Sequence, residues 1–309
     1  MLEGSAGHSV LEKLSAGGHA VLGGGETGDG EVGVHGDQRS RGVRQLRSRA
    51  MGTVLDRIVA AHREAAAADT RDLDRLLEEA AAAPPPRRFR KSLGRWGLDV
   101  IAEIKRRSPS KGELAPGLDP ATVAKAYEGG GAKALSVLTD REFFGGSPED
   151  LAAARSAVEL PVLRKDFTVD ARDICDARIM GADSVLLIVA ALSDEELKRF
   201  HELATELGRG ALVEVHDEED LARAKLIHVH LIGVNQRDLR TFEVDPGRAV
   251  RLAKRIPSGV LKVAESGIGG PEDLARLADA GYDAALVGEH LVTAPDPGEA
   301  LRRLRGGVT

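Results

Sequence analysis

A chain of 309 residues that is 42% hydrophobic and 30% charged has a soluble, globular composition with material for a large core. Its net charge of -6 argues against a nucleic-acid binder, and its one cysteine, Cys175, excludes an internal disulfide and fits a cytosolic setting. No apolar run approaches the roughly 18–20 residues of a membrane span, so no membrane partner is expected.

Residues 1–50 hold twelve of the 36 glycines and no Phe, Tyr or Trp. They bury too little apolar surface to offset the entropy of ordering, and read as a disordered tail with Met51 as a candidate natural start. A signal peptide's continuous apolar centre is missing. Gly23–Gly28, "GGGETG", fits G-x-G-x-x-G. With no strand before it and no helical period after it, a dinucleotide site is not expected. A helical extension follows over 51–95. Val54–Ala68 has apolar residues at helical spacing. Thr70–Ala83 reads as a second helix, with Thr70 or Asp72 as N-cap and Pro84–Pro86 as its stop.

From 96 to 309 the text alternates short β-rich runs with helical stretches. The predicted strands are Leu98–Lys105, Ala134–Asp140, Pro161–Phe167, Ser184–Ala190, Ala211–Asp217, Leu231–Asp238, Val260–Ser266 and Asp283–Glu289. Asp or Ser opens several of the intervening helices and Gly closes several. Eight such units predict a (β/α)8 TIM barrel. A doubly wound open sheet shares the local signal, but the count of eight favours the barrel, as does the lack of a glycine fingerprint after the first strand.

Barrel active sites lie at the C-terminal ends of the strands. Those ends carry Glu103 and Lys105, Lys165, Glu214, Asn235 and Arg237, Glu265 and Ser266, and Gly288 and Glu289. One strand-end lysine is commonly a solvated loop residue. Two lysines and two glutamates at neighbouring rims are a stronger signal. Glycine-bearing turns after the last two strands, "ESGIGGPEDL" and "VGEHLV", suit a phosphate, although the same glycines also serve tight turns. "SPSK", Ser108–Lys111, matches the serine acyl-enzyme motif without its companions. His228 and His230 share a face but lack a carboxylate or cysteine partner, and His216 and His290 read as loop residues, so no metal site is expected. Lysine and glutamate together offer acid–base chemistry on a small phosphorylated substrate, or a Schiff base as in aldolases. The residues alone leave both open, together with a binding barrel that has lost catalysis.

"AEIKRRSPSKGEL", "FFGGSPEDL", "PVLRKDF", "ADSVLLIVAAL", "LVEVHDEEDL", "IGVNQRDL", "VAESGI" and "LVGEHLV" resemble the indole-3-glycerol-phosphate synthase family, in order and spacing, from about Met51 to the C-terminus. The resemblance implies ring closure of a phosphorylated, anthranilate-derived substrate in tryptophan biosynthesis, with loss of carbon dioxide and water and no cofactor. It implies Lys165 as general acid, Lys105 as a holder of the anionic groups that helps later proton transfer, and Glu214 as general base, with the division of proton transfer between Lys105 and Lys165 left open. Glu103 would orient, with a share in proton transfer, and Asn235 and Arg237 would hold polar groups near the carboxylate. Ser108 and Pro109 would border the aromatic ring, with Phe144, Phe167, Leu186 and Leu239 as apolar wall. Ser266, Gly267, Gly288 and Glu289 would bind phosphate, the last two through backbone N–H groups. Transient contacts with other enzymes of the pathway are also compatible with it. Two departures stand out. Gln236 replaces a second Asn and is expected to point away with little effect. His228 stands where a helix-ending glycine is usual, so altered helix geometry is expected there.

Overall fold

The computed structural model describes residues 52–94, 97–208 and 210–306, so the expectations for residues 1–50 and Met51 lie outside the described residues. Eight parallel strands close into one barrel. They are β1 (Asp99–Ile104), β2 (Ala134–Leu138), β3 (Val162–Lys165), β4 (Ser184–Ile188), β5 (Gly210–Val215), β6 (Leu231–Asn235), β7 (Leu261–Glu265) and β8 (Ala284–Val287). Each pairs with its sequence neighbours, and β1 closes the ring against β8, Val100 beside Ala285. All eight predicted strands are present. They end one to three residues earlier than the sequence pattern suggested, and the residues that follow belong to the loops of the mouth.

Alternation along each strand sorts the side chains into two cores. Val100, Ala102 and Ile104 face the surrounding helices, whereas Ile101 joins Leu163, Leu186, Leu212, Leu231, Val263 and Leu286 inside the barrel. The same alternation carries Glu103, Lys165, Glu214, Asn235 and Glu265 inward, one layer above that apolar filling.

The extension wraps the barrel from mouth to base. Helix α1 (Val54–Ala68) opens with a capping box between Thr53 and Asp56, and buries Leu55 and Ile58 in the interior cluster beside Phe167 and Ile188. Arg63 clamps it to Glu196 through two bonds of 2.8 and 2.9 Å. Helix α2 (Leu73–Ala82) is capped by Asp72 rather than Thr70. A 3-10 turn, Phe89–Ser92, then places Phe89 and Leu93 in the same interior cluster at the opposite end, where the Gly94 N–H donates to Asp99 at 2.8 Å.

His228 does not adopt the positive φ of a helix-ending glycine. The helix Glu218–Ala224 ends with Lys225 in the right-handed region, and a turn through His228 leads to β6. Among the described residues only Phe242 and Ser266 are non-glycine residues with positive φ.

Candidate active site

All sixteen residues singled out as site candidates line one cavity of about 660 Å3 at the C-terminal mouth of the barrel. At its floor the Lys165 ammonium lies 2.9 Å from Glu214 Oε2 and 3.3 Å from Glu265 Oε2. A second pair, Lys105 Nζ to Glu103 Oε1 at 2.6 Å, sits nearer the turn after β8. A methyl group on Gly288 would lie 3.2 Å from Lys105 Nζ, so that ammonium reaches the turn after β8.

Glu214 and Glu265 are each 1% exposed, yet their surroundings differ. Glu214 receives Lys165 on one oxygen and the Asn235 amide, at 3.1 Å, on the other. The half-buried His216 ring lies 3.3 Å from the same oxygen and 3.4 Å from Asp220, close enough for charge pairing but off hydrogen-bond geometry. Burial works against a charge on Glu214, but Lys165 and His216 outweigh it and hold the carboxyl well below its usual range. Glu265 has no hydrogen-bonding partner for either oxygen, and burial together with the Glu214 charge pushes it up, to about 8, against the pull of Lys165. Burial alone would depress Lys165, but the carboxylates of Glu214, Glu265 and Glu103 raise it above the ordinary lysine range. His216 is likewise disfavoured as a cation by burial, but Asp220 and Glu214 raise it to about 9.

The backbone of Arg237 donates to Asn235 Oδ1 at 3.0 Å, and its guanidinium donates to the Phe242 carbonyl at 3.1 Å. The Glu289 side chain pairs with Lys111 at 2.6 Å and lies 3.9 Å from Arg237, linking the loop after β1 to the neighbouring turn after β8 and to the loop after β6. A short hairpin, Arg107–Ser108 with Gly112–Glu113, holds Ser108 to Lys111 over the cavity. Phe144 and Phe167 form the aromatic wall with ring centroids 6.3 Å apart, beside Leu186 and the half-buried Leu239.

The glycine turn after β7 divides its labour. The N–H groups of Gly269 and Gly270 are spent on Asp273, which caps the following helix, so Ser266 and Gly267 are left to face the cavity. Ser266 and Gly267 both have positive φ, 67° and 68°. A side chain on Gly267 would also collide with Val244. Gln236 is fully buried and donates to the Ser266 carbonyl at 2.8 Å. It does not line the cavity and supports this turn from behind.

Three participants were not given a role from sequence. Glu265 was visible as an inward strand-end residue, and nothing local marked its lack of donors. His216 read as a loop residue, although it stands two positions from Glu214 on the same inward alternation. His62, on α1, gave no signal: it meets Asp140 at 3.0 Å across 78 residues of chain. His62, Asp140 and Asp166 are also the one group, among the described residues, whose potential metal-ligating atoms all lie within 4.8 Å of one another. Asp166 is already engaged by Arg164 at 3.0 Å and Thr139 at 2.5 Å, and Asp140 by two backbone N–H groups.

Fold and site together define a (β/α)8 barrel whose C-terminal cavity is floored by paired lysines and glutamates. Comparison with known proteins narrows this class. The family model described as indole-3-glycerol phosphate synthase matches residues 55–304. A protein of that name from Nocardioides is 50% identical over 260 residues, covering 82% of this chain and 98% of its own. Indole-3-glycerol phosphate synthase 2 of Streptomyces coelicolor is 52% identical over 232 residues, covering 75% of this chain and 90% of its own. The chain belongs to the indole-3-glycerol phosphate synthase family. A solved 3-hexulose-6-phosphate synthase is similar in fold alone, with a TM-score of 0.56 at 16% identity, covering 69% of this chain and all of its own.

Proposed function

We propose that the protein closes the indole ring of 1-(2-carboxyphenylamino)-1-deoxyribulose 5-phosphate, releasing carbon dioxide and water to give indole-3-glycerol phosphate. The observation that carries this reading is the Lys165 ammonium held between two buried carboxylates at the floor of the cavity, with the Ser266–Gly267 turn on its rim.

In this reading the aromatic carbon bearing the carboxylate attacks the ketone carbon. Lys165 gives its proton to the ketone oxygen as charge builds there. The carboxylate, against the apolar wall of Phe144, Phe167 and Leu186, then leaves as carbon dioxide and returns its electron pair to the ring. Lys105 holds the substrate's anionic groups and supplies a proton as the hydroxyl departs as water. Glu214 takes the proton from the carbon next to nitrogen, completing the indole. Glu103 orients Lys105, and Asn235 and Arg237 orient Glu214 and the substrate's polar groups. Ser108 and Pro109 border the ring, while Ser266 and the backbone of Gly267, Gly288 and Glu289 take the phosphate.

A Schiff-base aldolase would need Lys165 as a neutral amine, and the surrounding carboxylates favour its charged form. No described helix is long and apolar enough to cross a membrane. The cytosolic setting suggested by a single, buried Cys175 belongs to this proposal. Ile179 and Leu226 are the exposed large hydrophobics among the described residues, too few for an obligate docking face, so contacts with pathway enzymes are proposed only as transient. The test is direct: the full chain plus the anilino-deoxyribulose phosphate should develop indole fluorescence. Absence of that signal, or borohydride trapping of substrate on Lys165, overturns the reading.

A further inference from the structure

We infer that His62, from the N-terminal extension, is a positioning residue that fixes the aromatic wall of the site from outside the barrel. This rests on the ring-closing reading, which places the substrate's benzene ring against that wall.

One imidazole reaches both phenylalanines. Its Nε2 lies 3.0 Å from Asp140 Oδ2. The other Asp140 oxygen accepts the backbone N–H groups of Phe143 and Phe144 at 2.6 and 2.9 Å, so this carboxylate shapes the turn from which Phe144 projects. The imidazole also packs on Phe167, with ring centroids 5.4 Å apart and planes tilted by 40°. Phe144 is therefore held through Asp140 and Phe167 by direct contact.

The surroundings favour the imidazolium. Asp140 and Asp166 face the ring, the latter at 3.8 Å, with Asp173 farther off and Arg164 behind Asp166. Burial works against the charge, but the hydrogen bond to Asp140 and these carboxylates raise the His62 pKa above its ordinary 6.5. A bound cation fits less well, because Arg164 already pairs with Asp166 and backbone amides occupy the second Asp140 oxygen. Helix α1 does not depend on His62 for docking, since Leu55, Ile58 and the Arg63–Glu196 pair anchor it independently.

The test uses the full chain with His62→Ala and His62→Gln, assayed by indole fluorescence from about pH 6 to about pH 9. His62→Ala should raise KM roughly tenfold with little change in kcat, the size expected on losing a hydrogen bond between charged groups. Wild type should show KM rising on the alkaline side as the imidazolium loses its proton. His62→Gln, which can still donate to Asp140, should recover most of the loss and lack that alkaline rise. Equal KM and pH profiles for wild type and His62→Ala would overturn the inference. So would a His62→Gln variant no better than His62→Ala, because that marks a purely structural side chain. If wild type itself forms no indole, the ring-closing reading fails separately. The brace is then judged by NMR titration of the 15N-labelled His62 ring, whose pKa should fall toward 6.5 in Asp140→Asn; an unchanged titration overturns it.

Discussion

Replacing Glu265 by Gln should stabilise the fold while damaging the site, and the size of the gain should depend on pH in a defined way. Glu265 is 1% exposed, accepts no hydrogen bond, and has its pKa pushed from the ordinary 4.5 to about 8. Between those values the unfolded chain releases a proton that the folded chain keeps. Stability therefore falls as pH rises from 4.5, and levels off once the folded carboxyl also ionises near 8. At about 1.4 kcal/mol per pH unit, the wild type forgoes on the order of 3 kcal/mol at pH 7. Gln is nearly isosteric with the protonated acid and carries no such penalty. Urea unfolding followed by circular dichroism should show wild type and Glu265→Gln equal near pH 4.5. The variant should be more stable by roughly 3 kcal/mol at pH 7, with the gap widening no further above about pH 8. A gap that does not vary with pH, or a variant less stable at pH 7, would refute the reasoning, because Glu265 would then be charged and compensated in the fold.

Four further outcomes follow from the geometry. Lys165→Ala and Glu214→Ala should each lower turnover in the indole fluorescence assay by at least roughly 100-fold, with native circular dichroism retained. Gly233→Ala places a methyl group against the Glu265 carboxylate, and should cost about 1–3 kcal/mol in urea unfolding. Gln236→Ala releases the Ser266 carbonyl beneath the turn proposed to take the phosphate, and should raise KM several-fold with little change in kcat, read from steady-state kinetics. His216 has a folded pKa near 9, so its ion pairs stabilise fully below the ordinary 6.5 and fade as pH rises through 9. The stability gap between wild type and His216→Asn should therefore shrink across that window in urea titrations.

The eight-strand rhythm was legible because each strand keeps its period of two and each helix its cap. Closure into a barrel then gathers strand ends scattered over nearly two hundred residues of chain onto one cavity, which is why sixteen named positions share one wall. Other features were not legible, for physical reasons. His62 acts across 78 residues of chain, and no local pattern encodes that meeting. Gln236 looked like a passive neighbour of Asn235, because alternation shows which face a side chain takes but not that a carbonyl with φ of 67° needs support behind it. Gly269 and Gly270 resembled phosphate ligands until the Asp273 cap claimed their N–H groups.

Glu214 and Glu265 show how one residue type at equal burial is divided between two states. Glu214 has an ammonium, an amide and an imidazole around it; Glu265 shares only the ammonium, at 3.3 Å. With Glu265 protonated at neutral pH, Lys105 balances Glu103, Lys165 balances Glu214 and the His216 imidazolium is balanced by Asp220, so the buried floor carries no net charge. In the proposed reaction this balance also supplies timing. While Lys165 is charged, Glu214 is too weak a base to take a proton from carbon. Once Lys165 has given its proton to the ketone oxygen, the charge that held Glu214 down is gone and its basicity rises. Glu214 thus becomes a base after the step in which Lys165 acts as an acid. Lys165→Met should accordingly raise the Glu214 pKa toward the neutral range. Infrared difference spectra of the carboxylate band across a pH titration should show that band appearing at higher pH than in wild type. A Glu214 band unmoved by the loss of the ammonium would show that Asn235 and His216 alone hold its charge, and the two steps would then not be coupled.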